Sequence, residues 1–249
     1  MFLSRSFIAV LFVFGAVFSS SFLLAQKPIT AEETNNSKIE IETYKSGSII
    51  PLLPLLNEWA VREFAQYPYL YSASKDQVVC PSDILFVNSS DSMIGLAKKE
   101  GKVVGMVALI CFDSPELHKM YFVQGPLLDK FQKSGFDLSK MLYVGYFLTA
   151  PELHNDARVV HALYKRLADF AQEKGKTQIC YMEDIGQPDH SKATKSVAIE
   201  PWGEVIHGFK RTGVQIGITW PTIGENDDIK EKEHTLEFFV KDLKSEERK

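Results

Sequence analysis

From Met141 the chain runs through an apolar stretch, Met-Leu-Tyr-Val-Gly-Tyr-Phe-Leu-Thr-Ala, and then Pro-Glu-Leu-His-Asn-Asp-Ala-Arg, into apolar positions recurring at helical spacing. The stretch predicts a strand and the recurrence a helix: Val160, Leu163, Leu167, Phe170 and Ala171 share one side, while Lys165, Arg166, Asp169, Gln172 and Glu173 fill the other. Asp156 stands where an N-cap belongs and Gly175 where a left-handed C-terminal cap belongs. A fresh β-rich run, Thr177 to Met182, follows at once. The unit is therefore β-α-β with two parallel strands, and the helix N-terminus turns backbone N–H groups toward whatever lies beyond the first strand, an arrangement that favours an anion.

The flanking pattern supplies the rest of a sheet. Ile39 to Tyr44 alternates as a half-buried strand, and Leu52, Leu55, Leu56, Trp59, Ala60 and Phe64 describe one face of a helix that Pro68 ends. Tyr67, Tyr69 and Tyr71 form an irregular aromatic stretch suited to core filling or to lining a pocket. Ser92 to Lys98 and Lys102 to Phe112 read as a hairpin across Glu100-Gly101. Residues 113–140 interrupt the β pattern around a short amphipathic piece, Leu127 to Phe131, and read as an insertion over one end of the sheet. Beyond the central unit, Glu200 to Arg211 suggests a short helix and Val214 to Trp220 a strand. An acidic loop from Gly224 to Glu233 leads to a last strand, Thr235 to Val240, and a charged tail at 244–249.

The first 25 residues differ from all of this. Arg5 is their only charge, and Phe7 to Leu24 is almost unbroken apolar sequence, the pattern of an export signal or a retained membrane anchor. Either one predicts an exported protein, periplasmic or secreted, or one anchored through residues 7–25, joined by a polar linker at 26–38 to a domain over 39–243. The net charge of -4 provides no basic footprint, which argues against a nucleic-acid partner. The three cysteines, Cys80, Cys111 and Cys180, cannot all pair within one molecule and are expected as buried thiols. The six histidines form no metal-type spacing, so no metal site is expected.

The order of elements (strand, helix, hairpin, strand, helix, strand, short helix, final hairpin) resembles the GNAT superfamily of N-acetyltransferases over Ile39 to Val240. The resemblance implies an α/β (α+β) fold with a central mixed β-sheet flanked by helices on both faces. It also implies acetyl-CoA as acyl donor, its pyrophosphate held by the loop after the fourth strand. Aligning Pro151-Glu152 with the family's usual Pro-Glu puts His154, Ala157 and Val159 at the signature positions of that loop. Asn155, Asp156 and Arg158 lie between them. Two departures stand out. Val159 is β-branched where the family has a small residue, and Phe209 occupies the place, four residues before Gly213, where the family often has a proton-donating Tyr.

Acyl transfer to an amine also needs a polarised carbonyl and a proton acceptor. The backbone N–H of Phe147 or Thr149 is the candidate for the first. Glu183, beside Asp184 at the end of the second parallel strand, is the preferred proton acceptor, with Tyr146 and Tyr181 on the neighbouring strands. The expected function is acyl-CoA-dependent N-acyl transfer to an amine-bearing small molecule or protein, with the membrane involved only through the N-terminal segment. The alternative is a GNAT-shaped binding module without catalysis.

Overall fold

The computed structural model describes residues 38–65, 71–72, 83–119, 125–150, 153, 156–185, 208–224, 226 and 228–243. The expected signal or anchor and nearly all of the linker lie outside them, as do Tyr67, Tyr69, Cys80 and the charged tail. Among the described residues no helix is long and apolar enough to cross a membrane.

Among the described residues seven strands make one mixed sheet: β1 (Ile39–Tyr44), β2 (Ser92–Lys99), β3 (Lys102–Cys111), β4 (Met141–Thr149), β5 (Gln178–Asp184), β6 (Lys210–Ile223) and β7 (Ile229–Asp242). Their order is β1-β2-β3-β4-β5-β7-β6, and the single parallel pair is β4 with β5, as the β-α-β reading required. The β2–β3 hairpin turns through Glu100 and Gly101, both at positive φ (52° and 77°), the conformation of a tight two-residue hairpin loop.

Helices cover both faces. On one, α1 (Leu53–Phe64), α2 (Asp83–Asn88), α3 (Pro115–His118) and α4 (Pro126–Lys133) contribute Leu56, Trp59, Phe64, Phe86, Leu117, Leu127 and Phe131 to a large apolar cluster. On the other, α5 (Ala157–Glu173) is the one helix over the sheet among the described residues. The segment expected as an insertion packs into the first cluster. Phe131 is fully buried, with ring centroids 5.1 Å from Phe112 and 4.9 Å from Phe238. The helix α2 was not read from the sequence, although it supplies Phe86, whose ring fills the space a Cβ on Gly145 would need.

Two boundaries differ from expectation. Lys210 and Arg211, assigned to a short helix, are the first residues of β6; the remainder of that helix lies outside the described residues. The β6–β7 register shifts between Arg211 and Gln215, and Gly213 takes φ 71° there, so the alternation that marks a strand is broken at that point. Buried Glu237 pins the bulge, accepting hydrogen bonds from Arg211, from the Gly213 N–H at 3.1 Å and from Gln215 at 2.9 Å. Burial alone would raise the Glu237 pKa, but the bonds from Arg211, Gln215 and Gly213 outweigh it and hold the carboxyl below its ordinary value. The acidic loop is also shorter than expected, because Ile229 to Glu233 already pair with β6.

Candidate functional site

Strands β4 and β5 pair at only three positions, the last being Tyr143 with Cys180. Beyond it β4 continues along β3 to Thr149, and β5 along β7 to Asp184, so a gap opens between the carboxyl ends of the two parallel strands. The Ala150 N–H donates to Val104 O at 2.9 Å. By the alternation of an antiparallel pair, Leu148 points its N–H toward β3 as well, while those of Phe147 and Thr149 point into the gap. These are the two backbone donors expected to polarise an acyl carbonyl.

Helix α5 begins just beyond that end of β4. Its N-cap is Asp156, as expected, and the cap is closed on itself. The Asp156 carboxylate accepts from the Arg158 N–H at 3.0 Å and from the Arg158 guanidinium at 2.9 and 2.7 Å, while the Val159 N–H donates to Asp156 O at 3.0 Å. The guanidinium bonds hold Asp156 below its ordinary pKa against a smaller opposing effect of burial. The place where an anion would sit on this helix is taken by the chain's own carboxylate.

Val159 does not crowd that place. It is fully buried and packs on β3, its Cγ1 lying 2.9 Å from where a Cβ on Gly105 would be. Val159, rather than Val160, carries the helix's apolar stripe in the first turn, which moves the branched side chain away from any ligand at the helix end. Ala157 follows the cap directly and leaves room for close backbone approach. His154 and Asn155 lie outside the described residues.

The acids at the end of β5 separate by face. Glu183 lies on the α5 face, where it accepts from the Tyr181 hydroxyl at 3.2 Å. Phe209 meets the same Tyr181 edge to face at 4.9 Å and is buried, so the residue found where the family often has Tyr is a packing group. Tyr146, the other catalytic candidate, is buried on the α1 face among Phe64 and Phe86, each with ring centroids 6.2 Å away. The structure therefore does not bring Glu183 and Tyr146 together on one face of the sheet.

Sequence reasoning missed a polar chain on the α1 face. His234 Nδ1 lies 2.6 Å from Asp184 Oδ2, and His234 Nε2 lies 2.7 Å from Thr222 Oγ1. The imidazole stacks on Trp220 at 3.5 Å with planes 11° apart. All three polar residues are buried. They come from β5, β7 and β6, and no local spacing announces them; the only sequence signal was that Asp184 ends a strand. Cys111 and Cys180 are free buried thiols, as expected, and burial pushes Cys111 up to about 11. Among the described residues no cluster of His, Cys, Asp and Glu could hold a metal ion.

No protein-family model matches the chain, and no curated protein does. Solved structures similar to it include BjaI, a CoA-dependent acyl-homoserine lactone synthase solved with SAM and isopentyl-CoA, at 15% identity and TM-score 0.46 over 85% of this chain and 86% of that one. A ribosomal-protein-alanine N-acetyltransferase from Brucella melitensis has 14% identity and TM-score 0.47 over 82% and 99%. A GNAT-family acetyltransferase from Streptococcus pneumoniae has 12% identity and TM-score 0.45 over 83% and 100%.

Proposed function

We propose that the chain transfers an acyl group from an acyl-CoA, acetyl-CoA in the simplest case, to an amine on a small molecule or protein. The observation that carries this reading is the gap that opens after three β4–β5 pairs, with the Phe147 and Thr149 N–H groups aimed into it and the α5 N-terminus just beyond the same end of β4. A thioester lying in that gap would have its carbonyl oxygen polarised by backbone N–H groups of β4. Its phosphates would reach the first turn of α5. There Ala157 offers little steric barrier, and Arg158, once turned from Asp156, supplies a cation. Asp156 must swing aside for this to happen. Holding thioester and amine together in the gap supplies much of the acceleration, because the encounter is made in advance. Glu183, expected as the proton acceptor, faces the donor side of the gap with Tyr181. Export or anchoring through residues 7–25 remains part of the proposal on sequence grounds alone.

One observation favours a second reading, a binding module without catalysis: the closed Asp156–Arg158 pair already occupies the anion position. A thermal-shift titration of the full chain separates the two. Acetyl-CoA at about a hundred times its dissociation constant adds roughly 2.7 kcal/mol, a rise in midpoint of at least about 5 °C for a domain of this size. A saturable rise is the expected result. A midpoint that stays put up to millimolar acetyl-CoA and CoA would reject the donor site and favour the binding module.

A further inference from the structure

We propose that Glu237 is a positioning residue for Glu183: fixed as an anion by Arg211 and the β6 bulge, it sets how tightly its neighbour across the β5–β7 ladder holds a proton. The inference rests on the acyl-transfer reading, in which Glu183 takes the proton from the acceptor amine, and adds the residue that fits Glu183 to that task. Glu183 stands directly opposite Glu237 in the antiparallel β5–β7 pair, so the two side chains rise from the same face, their Cβ atoms about 5 Å apart. Glu237 is 1% exposed, whereas Glu183 keeps 6% of its surface open, three residues past Cys180, the last β5 residue that pairs with β4. Like charges placed directly opposite in a ladder destabilise it, so stability does not account for the pair.

The two carboxylates have different surroundings. On β6 the four-residue step from Arg211 to Gln215 lies opposite the two-residue step from Phe239 to Glu237 on β7. That bulge gathers the Arg211 guanidinium, the Gly213 N–H and the Gln215 side-chain amide onto the Glu237 carboxylate. Burial would raise the Glu237 pKa, but these bonds overcome it, so Glu237 is ionised at neutral pH. All of these donors come from β6, the strand on the side away from β5. The cation thus belongs to a strand one farther from Glu183 than the anion does, and its half-exposed side chain is also screened by water and salt. From that side Glu183 meets a net negative field. A fixed anion makes a carboxyl hold its proton more tightly, which brings it toward the range where a base can take a proton from an amine and pass it on. Two acids whose surroundings separate them in this way divide the roles, one staying charged and the other exchanging its proton. The Tyr181 hydroxyl acts against the effect on Glu183, but its bond is neutral and 3.2 Å long.

The other titratable or charged groups on this face stand farther off. Glu231, Glu233 and Lys241 share the face of β7 with Glu237, and the Lys241 ammonium bonds the Tyr164 hydroxyl of α5. Glu233 and Lys241 are each four residues from Glu237, about 13 Å along the strand, a distance at which water and salt weaken a charge. Helix α5 adds the Asp156–Arg158 pair, closed on itself, and exposed His161. Among the described residues Glu237 is therefore the charge that acts most strongly on Glu183.

The test reads Glu183 itself. In the full chain, in detergent micelles and with glutamate isotope-labelled at Cδ, the NMR signal that disappears in Glu183→Gln is followed across pH. Glu237→Gln keeps an acceptor for the Gly213 N–H and should lower the Glu183 titration midpoint by about one pH unit. Arg211→Gln leaves the anion without its cation and should raise it by about half a unit. Glu237→Asp keeps the charge and should bring the midpoint back toward the wild-type value. Thiol release from acetyl-CoA, with ethanolamine as acceptor, should show its acid limb moving in the same directions. Shifts of opposite sign mark a charge; a role confined to pinning the bulge would lower the melting midpoint in both variants and leave Glu183 where it was. A Glu183 midpoint unmoved in Glu237→Gln, or moved the same way in both variants, overturns the proposal. Should Glu237→Gln not fold, an unmoved midpoint in Arg211→Gln overturns it equally. A midpoint that moves while the acid limb stays fixed overturns the use of the pair in catalysis. A wild-type chain that neither shifts with acetyl-CoA nor releases thiol rejects the reading beneath, and the NMR titration still decides whether Glu237 sets the proton affinity of Glu183.

Discussion

The two faces of the sheet at the open ends of β4 and β5 are built in opposite ways. The α5 face is organised by one local unit, strand to cap to helix to strand, whose helix pairs charges at the rim, Asp156 with Arg158 and Lys165 with Asp169, while Glu183 with Tyr181 is buried at the end of β5. The α1 face is assembled from α1, α2, α4 and the β6–β7 hairpin, and its polar groups are buried at the centre, with Asp184 and His234 fifty residues apart. On the rim, charges are cheap to hold and worth little, because water screens them. Within the cluster, a carboxylate and an imidazole persist only because each satisfies the other. The faces should therefore respond to substitution by different mechanisms: loss of a polar partner on the α1 face and loss of close packing on the α5 face.

The largest effect should come from His234→Ala. It leaves the Asp184 carboxylate buried without its imidazole and opens a space beside Trp220, so chemical denaturation should report a loss of about 3–5 kcal/mol. A loss below about 1 kcal/mol would mean that the α1 face tolerates polar groups as the rim does, and the contrast would collapse. Next comes Gly105→Val on the other face. Even a Cβ there would lie 2.9 Å from both Val159 Cγ1 and Leu163 Cδ1 and 3.2 Å from the Leu148 carbonyl oxygen. The helix must lift from β3, at a cost of about 2–3 kcal/mol. The same substitution should weaken any acetyl-CoA shift, because it moves the first turn of α5.

This contrast also explains what could be read from the sequence. The β-α-β unit was legible to within a residue or two, since cap, stripe and C-terminal glycine are all local signals: Asp156 caps, Gly175 sits at φ 66°, and Leu163, Leu167 and Phe170 are buried. The paired hairpin β2–β3 was legible for the same reason. The start of β6 was not, because a bulge at Gly213 hides its alternation, and its stabilising contact is to Glu237, far along the chain. Nor was the triad legible. His234 sits two residues from Lys232 and one from Glu233, in a run that reads as solvated, and only the fold brings Asp184 and Thr222 to it. The stripe of α5 was read from Val160 rather than Val159 for a smaller reason: one residue of helical phase decides which first-turn side chain meets the sheet.

The smallest effect, on Asp156, is the most informative about the donor site because its two consequences have opposite signs. Asp156→Ala removes the cap on the Arg158 N–H and should cost about 1 kcal/mol of stability. It also removes a negative charge from the place proposed for the donor's phosphates and frees Arg158, so acetyl-CoA should bind roughly five- to tenfold tighter, about 1 kcal/mol of Coulombic relief near the surface. Asp156→Asn separates these terms, since Asn caps a helix nearly as well without the charge. It should leave stability at neutral pH almost unchanged and still tighten binding. The pH dependence supplies a further check. The folded pKa of Asp156 is depressed by Arg158, so the stability it contributes is fully present above the unfolded value near 4 and is lost as pH falls through the lower folded value. The wild type should therefore lose slightly more stability than Asp156→Asn as the pH falls below about 4. If both variants lose stability but neither binds acetyl-CoA more tightly, Asp156 is only a helix cap, and the α5 face has no role in holding a phosphate.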